Sequence, residues 1–211
     1  MKRGVFITLE GNEGCGKSTQ LKWLAKHLRR KGRSVHTTRE PGGTALGDAV
    51  RRLVLDPKYK RMSPVCETLL YMASRAQLVE QVILPRLKKG QIVLCDRWLD
   101  ATLAYQGYAG GVDVDWIRRI GETATHGLKP DLTLYLDLPV RVGLKRAART
   151  RPADRIERKA LGYHEDVRRG FLQIARSEPR RFRRLAVRPD ETIRHVHERI
   201  RAEVDRVVRR H

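Results

Sequence analysis

Val5-Phe6-Ile7-Thr8-Leu9-Glu10-Gly11-Asn12-Glu13-Gly14-Cys15-Gly16-Lys17-Ser18 is the stretch on which the reading of this chain turns. The apolar run 5–9 has the length and composition of a buried strand. Gly11 to Ser18 then match G-x-x-x-x-G-K-[ST] at every fixed position. A helical pattern follows over 18–30, with Leu21, Leu24, Ala25 and Leu28 on one face. Glycines let such a loop curl so that several backbone N–H groups point inward, and the positive end of the next helix adds to the same concavity. The result is a nest for phosphate oxygens, with Lys17 to neutralise the β- and γ-phosphates and Ser18 to hold Mg²⁺. The residues Gly11, Asn12, Glu13, Gly14, Cys15, Gly16, Lys17, Ser18 and Thr19 therefore read as the site of a nucleoside triphosphate. Cys15 fills a slot that needs a small residue; a thiol at a helix N-terminus beside Lys17 also has the setting of a reactive one.

Strand-like and helical segments alternate outward from this loop. Further strands are expected at 34–38, 91–95 and 132–138, with a weaker candidate at 182–187, and helices at 45–55 and 64–88. Ile193, Val196, Ile200, Val204 and Val207 recur at spacings of three and four, which predicts an amphipathic helix with a mostly arginine outer face. The alternation predicts an α/β fold: a parallel sheet of about five strands covered by helices on both faces, with ligands at the C-terminal strand ends. The stretch 141–159 is crowded with arginine, broken by Arg151-Pro152-Ala153-Asp154, and poor in large apolar residues. It reads as a mobile basic flap rather than a core element.

The chain has 211 residues, 45 of them lysine or arginine against 24 acidic, for a formal net charge of +21. Polyanions are its natural partners. The excess runs along the chain and is not gathered in a tail. With no zinc-ligand spacing and no RNP-like signature, no specific nucleic-acid partner is expected, although charge alone predicts weak binding at low salt. The three cysteines, without a CxxC, fit a reducing cytoplasm, and the absence of a signal peptide or a long apolar stretch predicts a soluble protein with no membrane partner. The histidines form no convincing metal site; His164 beside Glu165 and Asp166 reads as a surface cluster.

Asp96 ends the strand at 91–95, where a carboxylate can orient Mg²⁺ through water, and Arg97 beside it can reach phosphate. An ordered set of motifs goes further. Thr38-Arg39-Glu40-Pro41-Gly42-Gly43-Thr44 follows the second strand. Ala73-Ser74-Arg75-Ala76-Gln77 lies on the long helix, and Asp96-Arg97-Trp98 precedes Ala104-Tyr105-Gln106-Gly107. Pro130-Asp131-Leu132-Thr133-Leu134-Tyr135-Leu136-Asp137 opens the fourth strand, and Asp154-Arg155-Ile156-Glu157 sits in the basic stretch. From about Phe6 to Phe171 the chain resembles the bacterial thymidylate kinase family, within the P-loop nucleoside monophosphate kinase class.

The resemblance implies transfer of the γ-phosphoryl group of ATP to dTMP with Mg²⁺, in dTTP synthesis, by a homodimer. It assigns Lys17 and Ser18 to ATP and Mg²⁺, and Arg97 to a bridge between donor and acceptor phosphates. Arg39 and Arg51 fall on the acceptor side, and Glu40 and Pro41 beside the deoxyribose. Tyr71 would stack on thymine, Arg75 donate to a thymine carbonyl, Thr102 and Gln106 read the N3 edge, and Tyr105 crowd a 2′-hydroxyl. Glu13 occurs in the bacterial subgroup whose loop lacks a basic residue at the next position, here Gly14; Arg149, Arg151 and Arg155 are then the candidates for the missing charge. The residues alone leave Tyr71 and Tyr105 open as aromatic core and Arg75 as a structural ion pair. Tyr71, Trp98 and Ala101 depart from the family's more frequent phenylalanine, tyrosine and serine. A kinase of another monophosphate, or a P-loop ATPase acting on a macromolecule, shares the ATP site; a GTPase is excluded by the lack of an N-K-x-D.

Overall fold

The computed structural model describes residues 3–150 and 152–209. Five parallel strands form one sheet in the order β2-β3-β1-β4-β5: β1 Phe6–Glu10, β2 Val35–Arg39, β3 Ile92–Asp96, β4 Leu132–Asp137 and β5 Phe182–Ala186. The helices are α1 Lys17–Arg30, α2 Ala45–Leu55, α3 Pro64–Leu78, α4 Leu84–Lys88, α5 Leu99–Thr102, α6 Val114–Thr125, α7 Val140–Ala148, α8 Leu161–Ser177 and α9 Ile193–Val208. The strands, α1, α2 and α9 fall where the periodicity placed them, to within a residue or so; the periodicity sets no bounds for α6 and α8. Among the described residues no helix is long and apolar enough to cross a membrane.

β1 and β4 are buried at every position, as central strands covered on both faces must be. Alternation then assigns their faces. Ile7, Leu9, Leu134 and Leu136 meet Leu24 and Leu28 of α1 and Ile200 and Val204 of α9. Tyr135 on the opposite face packs with Phe171 of α8 and Phe182 of β5. Each such large apolar side chain contributes about 1.5–3 kcal/mol on leaving water. Val196, Ile200, Val204 and Val208 carry the buried row of α9, so Val208 takes the place expected of Val207, and Ile193 stays exposed at the helix start.

The segment expected as one helix over 64–88 is continuous but widens into a π turn at Val79–Ile83. Pro85 has no N–H to give to the fourth carbonyl behind it, so regular α geometry cannot run through this point. A second π turn, Leu103–Tyr108, extends α5. Such widened turns recur at functional sites, and this one carries Tyr105 and Gln106.

The stretch 141–159 is not a flap without core contacts. Its first half is α7, with Val140 and Gly143 buried. In its second half Ile156 is buried against Val167 and Phe171. Asp154 accepts from the N–H groups of Ile156 and Glu157 at 3.0 Å each, closing a tight turn.

Candidate active site

The glycine-rich loop leaves β1 and enters α1 at the C-terminal edge of the sheet. α1 has no side-chain N-cap; Gly16, in the left-handed region at φ 96°, turns directly into the helix. The first-turn N–H groups thus face the loop's concavity with no side chain competing for them. Lys17 Nζ donates to the carbonyls of Gly11 and Asn12 at 2.9 Å each, which arches its stem over the loop. Cys15 is buried beneath, 4% exposed, with Sγ 3.5 Å from Lys17 Nζ. Gly14 is held by its surroundings: a Cβ there would lie 2.0 Å from the carbonyl oxygen of Gly143. α7 packs backbone against backbone on the loop, and no side chain fits between.

At the end of β3, Ser18 Oγ donates to Asp96 Oδ2 at 2.6 Å. Arg97 follows in the left-handed region, φ 73°, uncommon for a side chain of its size. The turn is held from both sides: Arg97 N–H donates to Leu9 at 3.0 Å, and Trp98 N–H to Glu10 at 2.6 Å. The guanidinium is aimed by Glu13 and Tyr105. Arg97 Nη2 donates to Glu13 at 2.7 Å and to the Tyr105 hydroxyl at 3.0 Å, and that hydroxyl donates to Glu13 at 2.7 Å. Burial resists the ionisation of Glu13, but Arg97, His164, Lys17 and Tyr105 outweigh it and hold the carboxyl far below the usual range. Arg97 Nη1 is buried with no hydrogen-bond partner.

The far wall is a buried polar network. Arg75 donates through Nε to Glu40 at 2.8 Å and through Nη2 to Thr102 Oγ1 at 2.9 Å, with Met72 Sδ 3.0 Å from Nη1. It is 1% exposed and lies over Trp98. Burial pushes the Glu40 carboxyl up to about 7 against the pull of Arg75. Gln106 Nε2 donates to Glu67 at 2.8 Å. Arg51 Nη1 donates to the carbonyl of Pro41 at 3.1 Å, while Arg39 is exposed beside Asp48.

These groups line one cleft of about 510 Å³. Glu13, Gly14, Gly16, Lys17, Ser18, Thr19, Asp96 and Arg97 stand at the loop end. Arg39, Glu40, Pro41, Arg51, Tyr71, Arg75, Thr102, Tyr105 and Gln106 stand farther along the wall, and residues of the basic stretch, Arg146 and Thr150 among them, complete it. Gly11, Asn12 and Cys15 lie underneath the loop and shape it from behind.

A thymidylate kinase family model matches residues 9–200. The chain belongs to the thymidylate kinase family. It is 51% identical over 194 residues to a thymidylate kinase of Deinococcus radiodurans, covering 92% of this chain and 94% of that one. A thymidylate kinase of Geobacter sulfurreducens is 50% identical over 185 residues, 85% of this chain and 87% of its own. The crystal structure of thymidylate kinase from Ehrlichia chaffeensis superposes with a TM-score of 0.78 at 31% identity, covering 96% and 99% of the two chains. The match reaches β5 and much of α9, beyond the Phe171 limit that the motifs alone reached. The family's reaction is phosphorylation of dTMP to dTDP with ATP as donor.

Within this family frame, the basic stretch differs from its sequence reading. Arg155 does not face the cleft here. It is 7% exposed, with Nη2 2.7 Å from Glu67 Oε2 and Nε donating to the carbonyl of Val54 at 2.8 Å. Arg149 is exposed at the end of α7 and is not among the cleft-lining side chains. Arg151 lies outside the described residues. Arg146, which sequence reasoning passed over, lines the cleft one helical turn earlier.

Two further residues were missed. Glu67 holds both Gln106 and Arg155 from a fully buried position on α3. Its only sequence signal was a carboxylate one turn before Tyr71. His164 is not a surface residue: it is fully buried, its backbone carbonyl accepts from Asn12 at 3.0 Å, and its Nδ1 is 3.6 Å from Glu13. Glu165 and Asp166 beside it suggested exposure, but on a helix neighbours point different ways.

Proposed function

We propose that this chain carries out its family's reaction, dTMP and ATP to dTDP and ADP, with the roles divided along the cleft. Lys17 and the first turn of α1 receive the donor phosphates. Arg97 sits where donor and acceptor phosphates meet, with Arg39 and Arg51 on the acceptor side. The acceptor phosphate is largely dianionic at neutral pH, its second pKa being near 6. The barrier is therefore one of aligning and neutralising two anions, and preorganised cations serve that better than a general base. Glu13, kept ionised, aims Arg97. The remaining charge comes from the lid segment 141–159 of this one kinase domain, with Arg146, Arg149 and Arg151 as its cations, while Arg155 stays paired with Glu67.

Mg²⁺ fits the loop end. Ser18 Oγ and Asp96 Oδ2 are hard oxygen donors already side by side, and an oxygen set that leaves room for water and phosphate suits this ion. Ser18 and Asp96 would hold it, and when bound it neutralises phosphate oxygens. Among the described residues no group of three or more His, Cys, Asp or Glu side chains gathers as a metal site.

The observation that carries the substrate is the pairing of Gln106 with Glu67. An ionised carboxylate only accepts, so it takes the Gln106 amide NH₂ and leaves the amide oxygen as the acceptor for the cleft. Thymine N3 carries a proton and needs an acceptor; cytosine N3 does not. Arg75 has five N–H donors, of which three are engaged by Glu40, Thr102 and Met72, leaving two for a thymine carbonyl. Tyr71 is half-buried on the same helix face one turn earlier and would stack on the base. Tyr105 would crowd a 2′-hydroxyl, and Glu40 with Pro41 wall the sugar. A coupled assay with dTMP, dUMP, UMP, CMP, GMP and AMP tests this. dTMP should be clearly best and dUMP weaker; best turnover of a purine monophosphate refutes it.

The homodimer reading is supported by the apolar side chains that α2 and α3 leave in water. Leu46 and Leu53 on one helix and Val65 and Leu69 on the other are 41–51% exposed, α2 and α3 pack on each other, and large exposed apolar surface is a feature of interfaces. Sedimentation equilibrium should give twice the chain mass, falling to one in Leu53→Glu/Leu69→Glu. The reaction belongs to the cytoplasm, where its nucleotide substrates are made.

A further inference from the structure

α1 and α9 pack side by side, and along their outer seam lies a second cavity of about 460 Å³ that the phosphotransfer reaction does not use. Trp23, Lys26, His27 and Arg30 line it from α1, and Arg194, His197, Glu198 and Arg201 from α9. Three features set it apart from an ordinary solvated basic face. Trp23 is 43% exposed, although an indole normally buries more of its large surface. Its ring is braced edge-on by His197 at 5.4 Å, and His197 Nδ1 is hydrogen-bonded to Gln20 at 3.2 Å. The indole is thus held in place with one flank open.

Charge is the second feature. Glu198 is the one carboxylate in the lining, and it is taken by Arg194 at 3.1 Å. Asp205, farther along the seam, is taken by Lys31 and His27. Among the described residues Lys26, Arg30 and Arg201 have no carboxylate partner. The third feature is Arg201 Nε, which is buried and has no hydrogen-bond acceptor. A buried donor left unmade costs about 1–3 kcal/mol, and Arg201 is one of the side chains that line this cavity.

A rigid open aromatic flanked by unpaired cations is a combination that suits a base joined to phosphate. The base gains from stacking and the phosphate from charge-assisted hydrogen bonds. The cavity volume lies within the roughly 300–1,000 Å³ of small-ligand sites. We propose that this groove is a second nucleotide site, distinct from the catalytic cleft, in which the base lies on Trp23 and the phosphates among Lys26, Arg30 and Arg201. The occupant is a free nucleoside triphosphate or a nucleotide unit of a single strand; the recognising chemistry is shared.

Equilibrium dialysis of the full chain against radiolabelled ATP, at physiological salt, reads the site directly. Two ATP per chain are expected, falling to one in Trp23→Leu and in Arg30→Gln/Arg201→Gln, with roughly tenfold or greater weakening of the second site. Turnover of dTMP should be retained in these variants, showing that the fold and the cleft are intact. Two outcomes overturn the proposal: a single ATP per wild-type chain, or two ATP retained after Trp23→Leu. Displacement of the second ATP by tripolyphosphate as effectively as by ATP also overturns it, since charge alone would then suffice. A twelve-nucleotide oligo(dT) distinguishes the sources. Displacement by the oligonucleotide at lower nucleotide concentration than free ATP assigns the site to a strand, and weaker displacement assigns it to the free nucleotide. Lys17→Ala should keep the seam's ATP whatever happens in the catalytic cleft; loss of all ATP binding in this variant also overturns the proposal.

Discussion

Arg75 and Glu40 form a salt bridge with N and O 2.8 Å apart and both side chains at most 3% exposed. The pair joins α3 to the loop after β2 and, through Thr102, to the helix after β3. Arg75 is therefore a strut of the fold, in addition to the base contact proposed for it. Arg75→Ala should lower stability by about 3–5 kcal/mol, because it strands Glu40 in the interior. It should also raise the KM for dTMP. Glu40→Ala/Arg75→Ala should cost less than the two single losses added together. Urea denaturation of the four proteins gives the cycle; strict additivity would mean that the two side chains do not interact energetically.

Gln106 is oriented by Glu67, so base discrimination should depend on a residue outside the cleft. In Glu67→Met the amide loses the acceptor that fixes it. The preference for dTMP over dCMP should narrow by roughly tenfold, the worth of one buried hydrogen bond. Competing-substrate assays measure the ratio directly. An unchanged ratio would place the orientation of Gln106 under some other control.

Lys17→Ala should reduce kcat by on the order of 10²–10³-fold or more, the effect of removing a preorganised charge from the transferring group, with the unfolding midpoint little changed. Asp96→Asn should act on the metal. Half-maximal rate should need a higher Mg²⁺ concentration, while KM for dTMP moves little. A Mg²⁺ titration that overlays on wild type would remove Asp96 from the metal site.

Asp137 ends β4 between two arginines, at 2.7 Å from Arg168 Nε and 2.7 Å from Arg184. Burial opposes its ionisation, but the hydrogen bonds and charges of Arg168 and Arg184 outweigh it and hold the carboxyl below its ordinary value. A depressed folded-state pKa contributes stability that is present above the unfolded value, about 4, and is lost as pH falls toward the lower folded one. Stability measured between pH 6 and 3 should therefore drop at the acid end, and Asp137→Asn should flatten that slope while lowering the plateau near neutrality. An acid slope unaltered by the substitution would assign the loss to other carboxylates.

The strands, the helices at 18–30, 45–55 and 193–207 and the phosphate loop were legible in the chain itself, because each depends on local pattern; the acceptor side of the cleft was reached only through the resemblance to the thymidylate kinase family. A G-x-x-x-x-G-K-S between an apolar run and an amphipathic helix specifies its own conformation, and Leu21, Leu24 and Leu28 mark their buried face by spacing alone. Contacts across the sequence were decided only by the packed structure. Gly14 has no side chain because Gly143, far along the chain, presses its carbonyl there. Glu67 meets Gln106 and Arg155, and His164 slides under Glu13, although the residues around it read as surface. Arg155 followed the same rule: its charge suggested a phosphate partner, and packing supplied a buried carboxylate instead. Periodicity reports which face of an element leaves water; it carries no record of which distant carboxylate, carbonyl or ring is waiting on the other side.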